Sequence, residues 1–345
     1  MKSLKDISWK VTEEEYRADT ALSYSTLSKF NREGFDNIKR LFDRIESPSL
    51  LFGSLVDCLL TGTKEEFENT FLVADFPAVS DGQRKIVEYL FGIYGGKEPL
   101  ANIADDTIID ATVKLSYQLN WKPETRAKVI KENCSEYWDL LTLAEGKKVV
   151  STDLYQDALS CVNALKSAES TKWYFEQDNP FDSNIERLYQ LKFKGDFDGI
   201  SLRCMADLII VDHQNKIVYP CDLKTSFKPE WRFYKSFMEW GYWIQAQLYW
   251  YLIRQNMDKD EYFKDFKLAD YRFIVISNST RRPLVWEFPQ TQAATDLELG
   301  KHKLKNWRSI AVQLNSYLTK GYKVPIGIEE VRRNDISMWL KNDTE

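Results

Sequence analysis

Histidine is nearly absent from this 345-residue chain, which holds only His213 and His302. Two-histidine zinc centres and histidine-based phosphodiester chemistry are therefore disfavoured, and any chemistry must rest on carboxylates, lysine, tyrosine or serine. The five cysteines, Cys58, Cys134, Cys161, Cys204 and Cys221, are scattered with no close pair, which argues against a zinc knuckle or an iron–sulfur cluster. Cys58, Cys204 and Cys221 lie in apolar runs and read as buried free thiols. No stretch approaches the roughly 20 apolar residues of a membrane span, and Met1-Lys2-Ser3-Leu4-Lys5-Asp6 lacks the apolar segment of a secretory signal, so a cytoplasmic protein with no membrane contact is expected. There is no repeat and no low-complexity segment. Nor is there an excess of positive charge. The formal net charge of −5 excludes a surface coated in positive potential, but not a local basic groove for nucleic acid.

A hydrophobic content of 43% is enough for a large core. Residues 1–180 read as mainly helical, 181–290 as strands with one long helix, and 291–345 as a C-terminal helix and tail, all within a single domain. The class expected is α+β with a mixed central sheet flanked by helices. Ser25 is read as the N-cap of a short helix through Phe30, and Pro48-Ser49 precede a buried helix from Leu50 to Leu60. Further helices are expected near 82–94, 106–119, 124–144 and 152–176. From Ile185 to Lys194, from Ser201 to Asp212 and from Lys216 to Lys224 the period changes to 2, with a turn at His213-Gln214-Asn215, which predicts an antiparallel meander. An aromatic-rich helix over Glu230–Arg254 follows, then strands at Tyr271–Ser277 and Leu284–Phe288, and a long polar helix from Gln290 to Lys320.

Asp222-Leu223-Lys224 ends the third strand of the meander, so strand alternation puts Asp222 and Lys224 on one face. A hairpin joining the second strand to the third can bring Asp207 beside Asp222. Two carboxylates suit a hard cation such as Mg²⁺, and a lysine beside them can orient or deprotonate water or stabilise a phosphorane-like transition state. The same tripeptide also occurs as a plain salt bridge on a sheet surface. Its neighbours add weight: Tyr242, Gln245 and Tyr249 share one helix face. Glu186, at the start of the first strand, could add a carboxylate to the site or be an exposed strand-end acid. Asp57 lies within Phe52–Leu60, where an isolated carboxylate is costly to bury unless paired or metal-bound. Gly53, one turn earlier, leaves room beside it.

Several ordered segments resemble the nuclease domain of RecE-like (exonuclease VIII) proteins, in the RecB-like group of PD-(D/E)XK nucleases. They are Tyr16-Arg17-Ala18, Leu22–Leu27, Phe52-Gly53-Ser54 through Leu60, Glu65-Glu66-Phe67 leading to Phe71–Ala74, Leu202-Arg203-Cys204 before Asp207, Asp222–Ser226, and Tyr242–Tyr249. The resemblance implies a three-layer restriction-endonuclease-like core and a site in which Asp207, Asp222 and the Leu223 carbonyl hold Mg²⁺, with Mn²⁺ as a substitute. It also implies that Lys224 is catalytic and that Gln245 and Tyr249 form the family's Q-x-x-x-Y motif. Asp57 stands where the family has a metal-binding histidine, and an aspartate can still ligate a hard cation. The implied activity is 5′→3′ degradation of one strand from a duplex DNA end, in a phage or prophage recombination setting. A single-strand annealing protein (RecT-like) is the implied partner and a ring-shaped homo-oligomer the implied assembly. Arg17 and Ser25 are the first candidates for DNA contact. Lys29, Arg32, Lys39, Arg40, Arg281, Arg282, Lys301, Lys303, Lys305 and Arg308 are further cations. An endonuclease on the same core, or a DNA-binding or assembly protein weakened at Asp57, are the alternatives.

Overall fold

Helices fill the first half of the chain and a mixed sheet organises the second. The computed structural model describes residues 1–35, 38–43, 47–177, 184–299 and 302–320. Eleven α-helices occur among them: α1 (Glu13–Ala18), α2 (Tyr24–Glu33), α3 (Pro48–Thr61), α4 (Lys64–Thr70), α5 (Asp81–Tyr94), α6 (Asp105–Lys114), α7 (Pro123–Ala144), α8 (Thr152–Ser167), α9 (Phe233–Trp240), α10 (Tyr242–Asp258) and α11 (Trp307–Lys320). The strands are β1 (Phe71–Val73), β2 (Lys148–Val150), β3 (Ile185–Phe197), β4 (Ile200–Asp212), β5 (Ile217–Ser226), β6 (Lys267–Leu268), β7 (Tyr271–Ser277), β8 (Leu284–Phe288), β9 (Leu297–Leu299) and β10 (His302–Leu304).

The main sheet runs β3-β4-β5-β7-β8, with β6 paired to the start of β5. β3, β4 and β5 form the antiparallel meander. β7 lies parallel to β5, a pairing that requires a crossover, and α9 and α10 supply it. On one face, Leu27 of α2, Ile244, Leu248 and Leu252 of α10 and Trp307 and Leu314 of α11 pack on Phe193, Cys204, Val211 and Phe273. On the other, Phe52 and Leu55 of α3 and Ala158 and Leu165 of α8 pack on Leu208, Ile210, Cys221 and Ile274. The result is three layers, α/β/α, with helices covering both sides of a mixed sheet. Helices α5–α7 form a separate core around Ile86, Leu90, Ile130 and Trp138; the chain leaves for them after β1 and returns through β2, its parallel partner. Among the described residues no helix is long and apolar enough to cross a membrane.

Several expectations are corrected. The helix of Glu230–Arg254 is broken at Gly241, whose φ of +68° is left-handed and ends α9 before α10 begins. The polar helix expected from Gln290 is instead the β9–β10 hairpin followed by α11. Leu297-Glu298-Leu299 alternates as a strand, and Asp296 accepts from the Asn306 backbone and side chain, closing the loop. The helix expected over 106–119 stops at Lys114, after which Ser116 and Gln118 take positive φ, and α8 stops at Ser167. Ser23, not Ser25, occupies the N-cap position of α2. The tail from 321 to 345 lies outside the described residues.

Candidate active site

The β4–β5 ladder runs from Asp212↔Ile217 to Leu208↔Cys221 and then stops. Beyond that point β4 stays with β3 as far as its start at Ile200, while β5 continues along β7 to Ser226. Asp207 and Asp222 are the first residues past the fork. The Leu223 N–H donates to Asp207 Oδ2 at 3.1 Å, and because a strand residue's N–H and C=O share one edge, the Leu223 carbonyl opens toward the same fork.

Cys221 and Leu223 pack into the α3/α8 layer, so alternation turns Asp222 and Lys224 toward α2 and α10. There the Lys224 ammonium pairs with Asp222 Oδ2, and the Gln245 side-chain amide donates to Asp222 Oδ1. The Lys224 Nζ lies 4.8 Å from the centre of the Tyr242 ring, which in turn sits 6.1 Å from the Tyr24 ring. Tyr24 anchors the start of α2 here by donating to the Trp240 carbonyl at 2.8 Å. Tyr249, one turn beyond Gln245 and also buried, packs edge-on to Tyr271 at 6.2 Å.

Sequence reasoning missed Gln190. On β4, Ala206 and Ile209 belong to the α2/α10/α11 core, whereas Leu208 and Ile210 belong to the α3/α8 core; the strand switches faces at Asp207. β3 makes the same switch between Leu191 and Leu188, and Gln190, opposite Asp207 by register, has φ +52°. Freed from ordinary alternation, its side-chain amide donates to Asp57 Oδ2 at 3.0 Å. Only the three-dimensional register places it here. α3 brings Asp57 close because Gly53 lets the helix approach β5: a Cβ at Gly53 would lie 3.1 Å from Thr225 Oγ1.

The acids repel one another. Burial, followed by the charges of Asp222 and Glu13, pushes Asp57 up to about 6. Burial and then Asp222 hold Asp207 well above the usual carboxylate range, against an opposing pull from Lys224. Burial works against the Lys224 charge, but Asp222, Tyr242 and Asp207 outweigh it and raise its pKa, so the amine is a fixed cation. Asp222 Oδ2 is buried with no hydrogen-bond partner beyond its ion pair. This all-oxygen donor set, short of positive charge, fits a hard divalent cation. Among the described residues, no three His, Cys, Asp or Glu side chains gather around one point.

Glu186 is not part of this group, contrary to the expectation that it joins the metal site. It pairs in register with Val211, four residues from Asp207 and so roughly 13 Å along the strand. Its carboxylate accepts from the Ser3 hydroxyl and lies 3.4 Å from His213 Nε2, tying the N-terminal segment to the sheet. Ser25, in the first turn of α2, places its hydroxyl 2.9 Å from that of Ser23, beside Tyr24. Arg17 is exposed on α1 and paired with Glu13 at 3.0 Å. Among the other candidate cations, Arg281 pairs with Asp157 and Lys303 with Asp296, and Arg32 lies over Trp240. Lys301 and the Lys39 side chain fall outside the described residues.

No protein-family model matches the chain, and no curated protein is significantly similar to it. Among solved structures it is similar to a protein from Eubacterium rectale named "putative exonuclease", with a TM-score of 0.45 and 12% identity over 90% of this chain and 86% of that one.

Proposed function

We propose that the protein is a Mg²⁺-dependent DNA exonuclease of the RecE-like type that degrades linear double-stranded DNA, with Mn²⁺ as a substitute ion. The observation that carries this reading is the fork at which β4 and β5 part, with Asp207 and Asp222 opposed and Lys224 on the same face as Asp222. Asp207, Asp222 and the Leu223 carbonyl would hold the ion, with Asp57 facing them from α3. When bound, it would acidify a water and offset charge on the phosphate.

The chain's own groups supply the rest. Lys224 stays protonated, which favours a point charge on the non-bridging phosphate oxygens as negative charge builds there, over a role as base. Gln245 fixes the Asp222 carboxylate by its amide, so the ligand needs no reorientation when substrate arrives. Ser25 and the unpaired N–H groups that begin α2 lie beside Tyr24 and suit a terminal 5′-phosphate. That placement favours 5′→3′ degradation from an end over cutting within a strand. A ring-shaped homo-oligomer, a single-strand annealing partner and a role in phage-type recombination complete the proposal on the strength of the sequence resemblance.

The test uses matched linear and covalently closed circular duplexes incubated with Mg²⁺. An exonuclease consumes the linear form and leaves the circle, whereas nicking of the circle would make it an endonuclease. If the wild type and Lys224→Ala leave both substrates equally intact with Mg²⁺ and Mn²⁺, the nuclease reading fails.

A further inference from the structure

Three large aromatic side chains lie open to solvent within eight residues of the β5 strand end. Phe227 is 52% exposed, Trp231 54% and Tyr234 50%. A fold does not need them there, because the same segment commits other rings to the core: Phe233 is 4% exposed and packs on Tyr242, Phe273 and Trp286, and Phe237 packs on Trp243 and Phe288. The segment therefore has an inner aromatic face that holds α9 on the sheet and an outer one on which Trp231 and Tyr234 touch no other ring among the described residues, while Phe227 rests on Phe52 of α3 at 5.8 Å and keeps its other side open.

The outer face is interleaved with cations. Lys228, Arg232 and Lys235 alternate with the rings and are exposed. The Arg232 guanidinium lies 4.6 Å from the Trp231 ring centre, a stacking that leaves its edge donors available to an anion. Both acids of the segment are engaged within the protein: Glu239 pairs with Lys228 at 2.8 Å, and Glu230 accepts from the Thr280 hydroxyl. Aliphatic side chains, which would mark a protein-docking face, do not contribute to the exposed set between Phe227 and Tyr234. Flat rings alternating with cations match a polyanion that carries stackable bases.

Position supports the same occupant. Phe233, on the inner face, stacks on Tyr242 at 5.6 Å, and the Tyr242 ring covers the Lys224 ammonium. Trp231 and Tyr234 flank Phe233 in the chain, so the outer rings sit on the segment whose inner ring reaches the candidate active site.

We infer that Phe227, Trp231 and Tyr234, with Arg232 and Lys235, form a stacking platform for unpaired bases of single-stranded DNA running to or from the fork. The inference rests on the nuclease reading and deepens it by naming a substrate-strand contact that the Asp207–Asp222–Lys224 chemistry does not require.

The test measures anisotropy of a short labelled oligo(dT) with full-length protein in EDTA, so that binding is read without cleavage. Trp231→Ala/Tyr234→Ala should weaken binding at least about tenfold, and Trp231→Phe/Tyr234→Phe should stay within about twofold, because stacking needs a ring rather than a hydroxyl or indole N–H. Both variants should stay folded and melt within a few degrees of the wild type, since about half of each replaced ring is exposed and neither belongs to the core. Wild-type affinity in the double alanine variant would overturn the inference, as would absence of oligo(dT) binding by the wild type. A change of sedimentation in the alanine variant with unaltered DNA affinity would also overturn it, marking a contact between copies of the chain. Cleavage of linear duplex with Mg²⁺, compared between wild type and Lys224→Ala, judges the nuclease reading separately.

Discussion

Gln245 on α10 reaches across the layer boundary to Asp222 on β5 and donates its side-chain amide to Oδ1. Both residues are almost wholly buried, Gln245 at 3% exposure and Asp222 at 1%, so neither can turn to water for a substitute partner. Gln245→Ala should therefore cost about 1–3 kcal/mol of stability by leaving a carboxylate oxygen buried and unpaired. It should also slow cleavage, since Asp222 loses its fixed orientation. Chemical denaturation and the rate of linear-duplex degradation read the two effects. An unchanged denaturation midpoint would mean that the contact holds nothing.

Lys224 carries a different expectation, because its partners hold it as a cation. Lys224→Ala should reduce cleavage by about 10²–10³-fold, the scale of losing one preorganised charge in an active site. Lys224→Arg should recover only part of the rate, because a planar fork does not reproduce a point charge. Single-turnover degradation at saturating Mg²⁺ measures this without interference from metal affinity. Residual activity above a third of the wild type in the alanine variant would remove Lys224 from the chemistry.

The central features of this site were legible in the sequence because they follow from strand periodicity. Alternation alone puts Asp222 and Lys224 on one face, and a short turn at 213–215 sets the β4–β5 hairpin that opposes Asp207 to Asp222. What could not be read depended on departures from regular geometry. Gln190 and Asp207 lie where two strands switch faces, and the positive φ at Gln190 leaves no mark in residue type. Without that switch Glu186 is the more obvious acid on the first strand, yet it belongs to a contact with Ser3 and His213. Gly241 hides its helix break inside an apolar pattern that continues on both sides, and the β9–β10 hairpin is too short for its alternation to stand out from polar helix.

Asp57 gives the site a pH signature. Its pKa in the fold, about 6, stands above the ordinary aspartate range, first through burial and then through Asp222 and Glu13. The folded state thus holds this proton more tightly than the unfolded chain. The stabilisation is complete below the unfolded pKa and disappears as pH rises through about 6. In EDTA, the melting temperature of the wild type should fall relative to that of Asp57→Asn between about pH 4 and pH 7. At pH 8 the variant should melt on the order of 2 °C higher, and adding Mg²⁺ should narrow or reverse the gap by neutralising the acids of the wild type. A gap that is constant with pH would show that the Asp57 charge is already compensated within the chain.

Gly53 tests whether close approach of α3 to β5 is required to deliver Asp57. A Cβ at this position would stand 3.1 Å from Thr225 Oγ1, tight enough that the helix or the threonine must yield by a few tenths of an ångström. Alanine also brings a helix-propensity gain of about 0.5–1 kcal/mol over glycine. The two effects oppose each other, so Gly53→Ala should change stability by less than about 1 kcal/mol. Gly53→Val adds branched methyl groups in the same gap and gains less propensity, so overpacking should prevail, at about 1–3 kcal/mol. Because α3 carries both Gly53 and Asp57, the valine variant should also need more Mg²⁺ for half-maximal cleavage, although it removes no polar group. Thermal melts and Mg²⁺ titrations of the two variants check this. A valine variant that loses stability while keeping the wild-type Mg²⁺ dependence would place Asp57 outside the metal-binding set and leave the fork to Asp207, Asp222 and Leu223.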